Sequence, residues 1–139
     1  MKTITPFLLR FILVITLLTI AFRFFLTYGI THESLVLVIL SAVLYGVSMF
    51  VSGWHFGKKD GEFLPLYDVG FRFHLSTYTV HNGISMLWFA FGFNSPMEKV
   101  AVVYITAIAW GVILLVHLGF FIWTRQHTIK NLHREDLFD

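Results

Sequence analysis

The sequence predicts an all-α membrane protein, a four-transmembrane-helix bundle built from two tandem antiparallel helix hairpins. Three observations lead there. The 139-residue chain is 57% hydrophobic and 13% charged, which lies outside the range of water-soluble domains. The apolar residues gather into four windows, 7–30, 35–54, 73–93 and 100–123, and the last three hold no Asp, Glu, Lys or Arg. Each window has the roughly 20 residues that a helix needs to cross about 30 Å of hydrocarbon, and none alternates polar and apolar residues as a barrel strand does.

The first window, Phe7 to Ile30, is too long for a signal peptide. It carries Arg23 near its far end, and no small-residue cleavage pattern follows it, so it is expected to stay in the mature protein. "THE" (Thr31 to Glu33) leads into the second window, Leu35 to Trp54, which makes residues 1–56 the first hairpin. The stretch 57–70, with Pro65, Gly57, Gly61 and Gly70, reads as a cytoplasmic linker. Residues 71–124 form the second hairpin, turned at "NSPME" (Asn94 to Glu98). Residues 125–139 form a tail that can extend the last helix, with Ile129, Leu132 and Leu137 available for a surface or a partner.

Basic residues set the orientation. Lys2, Arg10, Lys58, Lys59, Arg72, Arg125, Lys130 and Arg134 fall on one side, and only Arg23 and Lys99 on the other. Both termini are therefore expected in the cytoplasm. Arg10 and Arg23 are expected to reach the headgroups rather than to pair in the interior, with Arg23 to Glu33 as the alternative. The chain has no cysteine, which removes disulfides, thiolate metal sites and cysteine nucleophiles. The net charge of +2 gives no reason to expect nucleic acid.

An internal repeat is visible. "AVLYGVSMFVSGWHFG" from Ala42 aligns without a gap on "AIAWGVILLVHLGFFI" from Ala107: Ala42, Gly46, Val47 and Val51 match Ala107, Gly111, Val112 and Val116. "RFIL" from Arg10 lines up with "RFHL" from Arg72. A duplicated hairpin would have its pseudo-twofold axis along the membrane normal, with Ile12 and Ser52 in the first copy at the places of His74 and His117 in the second.

Polar residues recur at helical spacing inside the apolar windows. His74, Tyr78, His81 and Ser85 form one stripe, flanked by Thr77 and Asn82. Thr106, Trp110 and His117 share a face of the fourth window. Ser41, Tyr45, Ser48, Ser52 and His55 line the second, and Thr16, Thr19 and Arg23 the first. Unpaired polar groups are costly in hydrocarbon, so these stripes are expected to face inward. The candidate site is a buried His, Tyr and Asn cluster in the cytoplasmic half: His74, His117, His81, Tyr78 and Asn82.

Three readings fit that cluster. It is a structural network fixing helix register, a haem or transition-metal site with His74 and His117 as ligands, or a proton or ion path. No paired acid, serine elbow or glycine-rich phosphate loop is present, which points away from catalysis.

"GFRFHLSTYTVHN", "WGVILLVH" and a Trp followed by "IKNL" together resemble the two-transmembrane (2TM) domain of Bacteroidota membrane proteins, over about residues 66–132. The matching positions are Phe73, His74, Leu75, Tyr78, Asn82, Trp110, Gly111, Leu114, His117, Trp123, Ile129 and Lys130. The resemblance implies a bacterial inner-membrane location and an antiparallel helix pair with facing histidines, and it implies no activity. The expected function is a non-catalytic sensing, scaffolding or oligomerising module, with the lipid bilayer and a second copy or another membrane protein as partners.

Overall fold

The computed structural model describes residues 4–63 and 69–130, with side chains over 4–62 and 70–123. The described chain is all-helical: α1 (Pro6–Thr31), α2 (Leu35–Phe63), α3 (Val69–Ala90) and α4 (Val100–Lys130). Three of these helices, α1, α2 and α4, are long and apolar enough to cross a membrane.

Local chemistry sets the ends of the helices. Thr5 caps α1 by accepting from the Leu8 N–H at 3.1 Å, and Pro6 follows at the first helical position, where its missing N–H costs nothing. α1 ends in a Schellman turn: Ser34 N–H donates to Gly29 O (2.9 Å) and Glu33 N–H to Ile30 O (3.1 Å). Glu33 occupies the left-handed position, with φ 53°. The same device ends α3, with Phe93 N–H donating to Trp88 O and Gly92 N–H to Phe89 O, both at 3.0 Å. There Gly92 sits at φ 71°. The Phe93 and Trp88 rings, 5.3 Å apart, supply the apolar contact that usually accompanies this turn.

α2 runs on to Phe63, so residues 57–63 of the expected linker are helical. Asp60, buried against α1 and α3, anchors the extra turns despite Gly57 and Gly61. Residues 69 and 70 of the expected linker open α3; its remainder, 64–68, lies outside the described residues, as do the tail beyond Lys130 and the side chains of Ile129, Leu132 and Leu137.

α1 is the spine of the packing. Its buried positions Leu8, Phe11, Ile15, Thr19 and Arg23 form a single stripe, three or four residues apart. The apolar part of that stripe, with Phe73 of α3, makes the core, and Ile12, Met49, Phe56 and Val80 pack around it. Among the described residues, α1 packs on both α2 and α3, α2 and α3 touch each other, and α4 packs on α3 alone. The duplication read from α2 and α4 is therefore not mirrored in the packing. A pseudo-twofold would place α4 against α1 as α2 lies against α3, and no such contact is present among the described residues.

Large apolar side chains cover the outside; Val36, Phe50 and Ile108 are 76%, 71% and 68% exposed. A surface of that kind is at home in lipid and not in water. Polar groups do not all turn inward, as the stripes led one to expect. Thr106 is exposed and is satisfied by its own helix, donating to Val102 O at 2.8 Å, an i−4 bond that removes the cost of a hydroxyl facing lipid.

Candidate functional site

Four of the five expected site residues separate into two groups, because α3 lies between α2 and α4 and turns one edge of its stripe to each; Asn82 bonds within α3. His74 and Tyr78 face α4. The Nδ1 atoms of His74 and His117 are 3.2 Å apart, with the rings edge to face at 4.9 Å between centroids. At that distance one imidazole carries its proton on Nδ1 and donates to the bare Nδ1 of the other. The Tyr78 hydroxyl donates to Ala107 O at 3.2 Å. This close approach depends on Gly111, where an added Cβ would stand 3.2 Å from the Tyr78 hydroxyl oxygen.

His81 hydrogen-bonds the other way, toward α2, while its ring meets Trp110 of α4 at 5.5 Å between centroids. Its Nδ1 lies 2.9 Å from the Tyr45 hydroxyl, which is 3.1 Å from the Thr19 hydroxyl, which in turn donates to Ile15 O at 2.7 Å. Counting protons gives this chain a direction. A carbonyl only accepts, so the single Thr19 proton goes to Ile15; Tyr45 must then donate to Thr19, and His81 must donate from Nδ1–H to Tyr45. The chain crosses α3, α2 and α1 and fixes one tautomer of His81.

Asn82 is buried, donating from Nδ2 to Tyr78 O at 2.8 Å, while its Oδ1 has no partner among the described residues. The residues thus do not form one buried cluster. His74 is exposed and His117 half-buried, His81 has partners of its own, and His55 stands exposed beside the Phe56 ring. No group of three His, Cys, Asp or Glu side chains converges as a metal site would among the described residues.

Two buried ion pairs were not expected. Arg23 is 5% exposed and donates to Glu98 at 2.6 Å, so it neither reaches the headgroups nor pairs with Glu33. Glu98 folds back from the α3–α4 connection and also accepts from Thr27 Oγ1 at 2.6 Å and Ser95 N–H at 3.1 Å. Thr27 accepts from Trp88 Nε1 at 3.0 Å. At the other end of α1, the fully buried Asp60 accepts from Arg72 at 2.6 Å and from the Thr5 hydroxyl. Arg10, by contrast, is exposed beside the Phe7 ring.

The spacing Ser95-x-x-Glu98 is a capping-box signature and was the one local sign of the first pair. Nothing local marked the second. α1 and α3 are consequently tied at both ends and run side by side in the same direction.

A cavity of about 500 Å³ opens between α2 and α3, with Trp110 of α4 at its edge. Comparisons with protein-family models, with curated proteins and with solved structures found no match to this chain.

Proposed function

We propose that this chain is a non-catalytic integral membrane module of the bacterial inner membrane, with four crossing helices and both termini in the cytoplasm, which senses or scaffolds through the packing of its helices. One observation carries the reading: histidine, tyrosine and threonine side chains that the sequence places inside the apolar windows bond to one another across helices. His81, Tyr45 and Thr19 form a directed chain, and His74 bonds His117. Groups held in this way fix helix register and leave no nucleophile paired with a base. The clasps at Thr5–Asp60–Arg72 and Arg23–Glu98 support a fourth crossing, since they hold α3 alongside α1 over most of its length. The contact of His74 with His117 also agrees with the facing histidines that the 2TM resemblance implies.

A second reading, a transition-metal site at His74 and His117, has one specific observation in its favour. Their 3.2 Å separation is near the roughly 3.4 Å that two imidazole nitrogens span on a tetrahedral ion with bonds of about 2.05 Å. Haem does not fit this geometry. A porphyrin between two in-line ligands needs about 4 Å between the nitrogens and flat open space, whereas these rings meet edge to face.

The absorption spectrum and metal content of the purified protein discriminate between the readings. We expect colourless, metal-free protein, with His74→Ala and His117→Ala lowering stability and leaving the spectrum unchanged. A stoichiometric metal lost in both variants, or a Soret band, overturns the proposal.

A further inference from the structure

The groove between α2 and α3 has features that packing within this chain does not use. A Cβ placed at Gly46 or Gly53 would meet nothing within 4 Å, so these glycines are not there to let a neighbouring helix of this chain approach. Phe11 and Phe73 line the interior of the groove, and Trp54 and Trp110 stand at its sides. Because α2 and α4 do not touch among the described residues, the gap opens sideways, into the bilayer on the membrane reading above.

The polar lining is small and placed in depth. The Thr77 hydroxyl, half-buried in the groove, has no hydrogen-bond partner among the described residues, and His74 uses only Nδ1, on His117. Thr77 lies five residues beyond Arg72, hence roughly 7.5 Å along α3 from the Asp60–Arg72 clasp. The exposed Lys58 and Lys59 precede Asp60 and mark the headgroup level at that end. Phospholipid ester carbonyls stay near that boundary, so an acyl chain alone would give Thr77 no acceptor beyond its own helix and leave the free His74 nitrogen without a partner. An uncharged, flat head with a carbonyl acceptor can sink to that depth. The volume, about 500 Å³, is that of a small-molecule site.

We propose that the α2–α3 groove binds an isoprenoid quinone. Its ring lies against the glycine wall of α2 between Trp54 and Trp110, one carbonyl accepts from Thr77 and His74, and its tail leaves through the lateral opening. This inference rests on the membrane reading above and adds a ligand class to it; no redox step is part of it.

The test is quenching of tryptophan fluorescence in the full chain reconstituted in phosphatidylcholine vesicles, titrated with decylubiquinone, alongside Gly53→Leu and Thr77→Val. Gly53→Leu fills open space and improves helix propensity, so it keeps the fold. Saturable quenching is expected for the unmodified chain, abolished in Gly53→Leu and weakened about fivefold in Thr77→Val, the value of one lost neutral hydrogen bond. A parallel series in brominated phosphatidylcholine separates the two failures. If bromine does not quench the tryptophans, the membrane reading falls and the site with it. If bromine quenches and decylubiquinone quenches linearly, with all three proteins alike, the groove is lined by ordinary lipid and the proposal is overturned. It is equally overturned if the unmodified chain is a dimer that Gly53→Leu makes monomeric with no saturable quenching in either, since a second copy then fills the groove.

Discussion

Glu33 carries strain that a single substitution relieves. It is the non-glycine residue at positive φ among those described, at 53°, and it holds the position of the α1 turn that favours glycine. A side chain in the left-handed region costs about 1 kcal/mol, so Glu33→Gly is expected to stabilise the chain by roughly that amount, read as a shift in the midpoint of unfolding by sodium dodecyl sulfate. Gly29, one turn earlier, predicts the opposite sign. An added Cβ would stand 3.1 Å from Val38 Cγ2 and 3.2 Å from the Val38 backbone nitrogen. The backbone atom cannot rotate away, so Gly29→Ala should force α1 and α2 apart at their turn and cost about 1–3 kcal/mol in the same assay. If Gly29→Ala is neutral, the close approach at this turn is not what holds the hairpin.

At the level of the helices, the two clasps decide how α1, α2 and α3 stay together. Removing one member of a buried ion pair leaves an uncompensated charge, at a cost of about 3–5 kcal/mol, whereas replacing both with apolar residues of similar size is often neutral. Glu98→Ala should therefore destabilise by about that amount, and the double variant Arg23→Met with Glu98→Leu should recover most of it. A double variant as weak as the single one would show that Glu98 acts chiefly through Thr27 and Ser95.

These clasps also mark where the sequence stopped being informative. Helix number and approximate bounds were legible because they rest on composition within 20-residue windows, and the contact of His74 with His117 rests on stripes of fixed period. Arg23 and Glu98 are 75 positions apart, and no periodicity links them. Near a window end Arg23 looked like a residue bound for the headgroups, and Asp60 looked like part of a solvated charged linker. The spacing on α3 groups residues on one face, but it does not say that the two edges of that face serve different neighbours, which is why His81 belongs with Tyr45 and Thr19.

For the whole molecule the open structural matter is the path of α3, which is less apolar than its neighbours and is not among the helices that composition alone marks as crossing. Its polar residues explain the difference, and its packing supplies the argument that composition lacks. α3 meets α1 at Asp60–Arg72, beside the cap of α1, and again at Trp88–Thr27, near the other end. Sixteen residues of α3 separate those points, about 24 Å of helix, which is why the proposed reading has α3 cross, in the same direction, a bilayer that α1 crosses. The chain has no cysteine, which allows single cysteines to report sidedness without background. Lys58→Cys, at the exposed end of α2, and Met97→Cys, 58% exposed in the α3–α4 connection, should react with an impermeant maleimide from opposite faces of intact cells: Met97→Cys directly, Lys58→Cys only after permeabilisation. His32→Cys, in the exposed α1–α2 turn, should behave as Met97→Cys does. Labelling of Lys58→Cys and Met97→Cys from one face would mean that α3 enters and leaves on the same side. The two clasps would then have to lie at one membrane depth, which the length of α1 between Thr5 and Thr27 forbids for a crossing helix. That outcome would overturn the four-helix crossing together with the cytoplasmic placement of both termini.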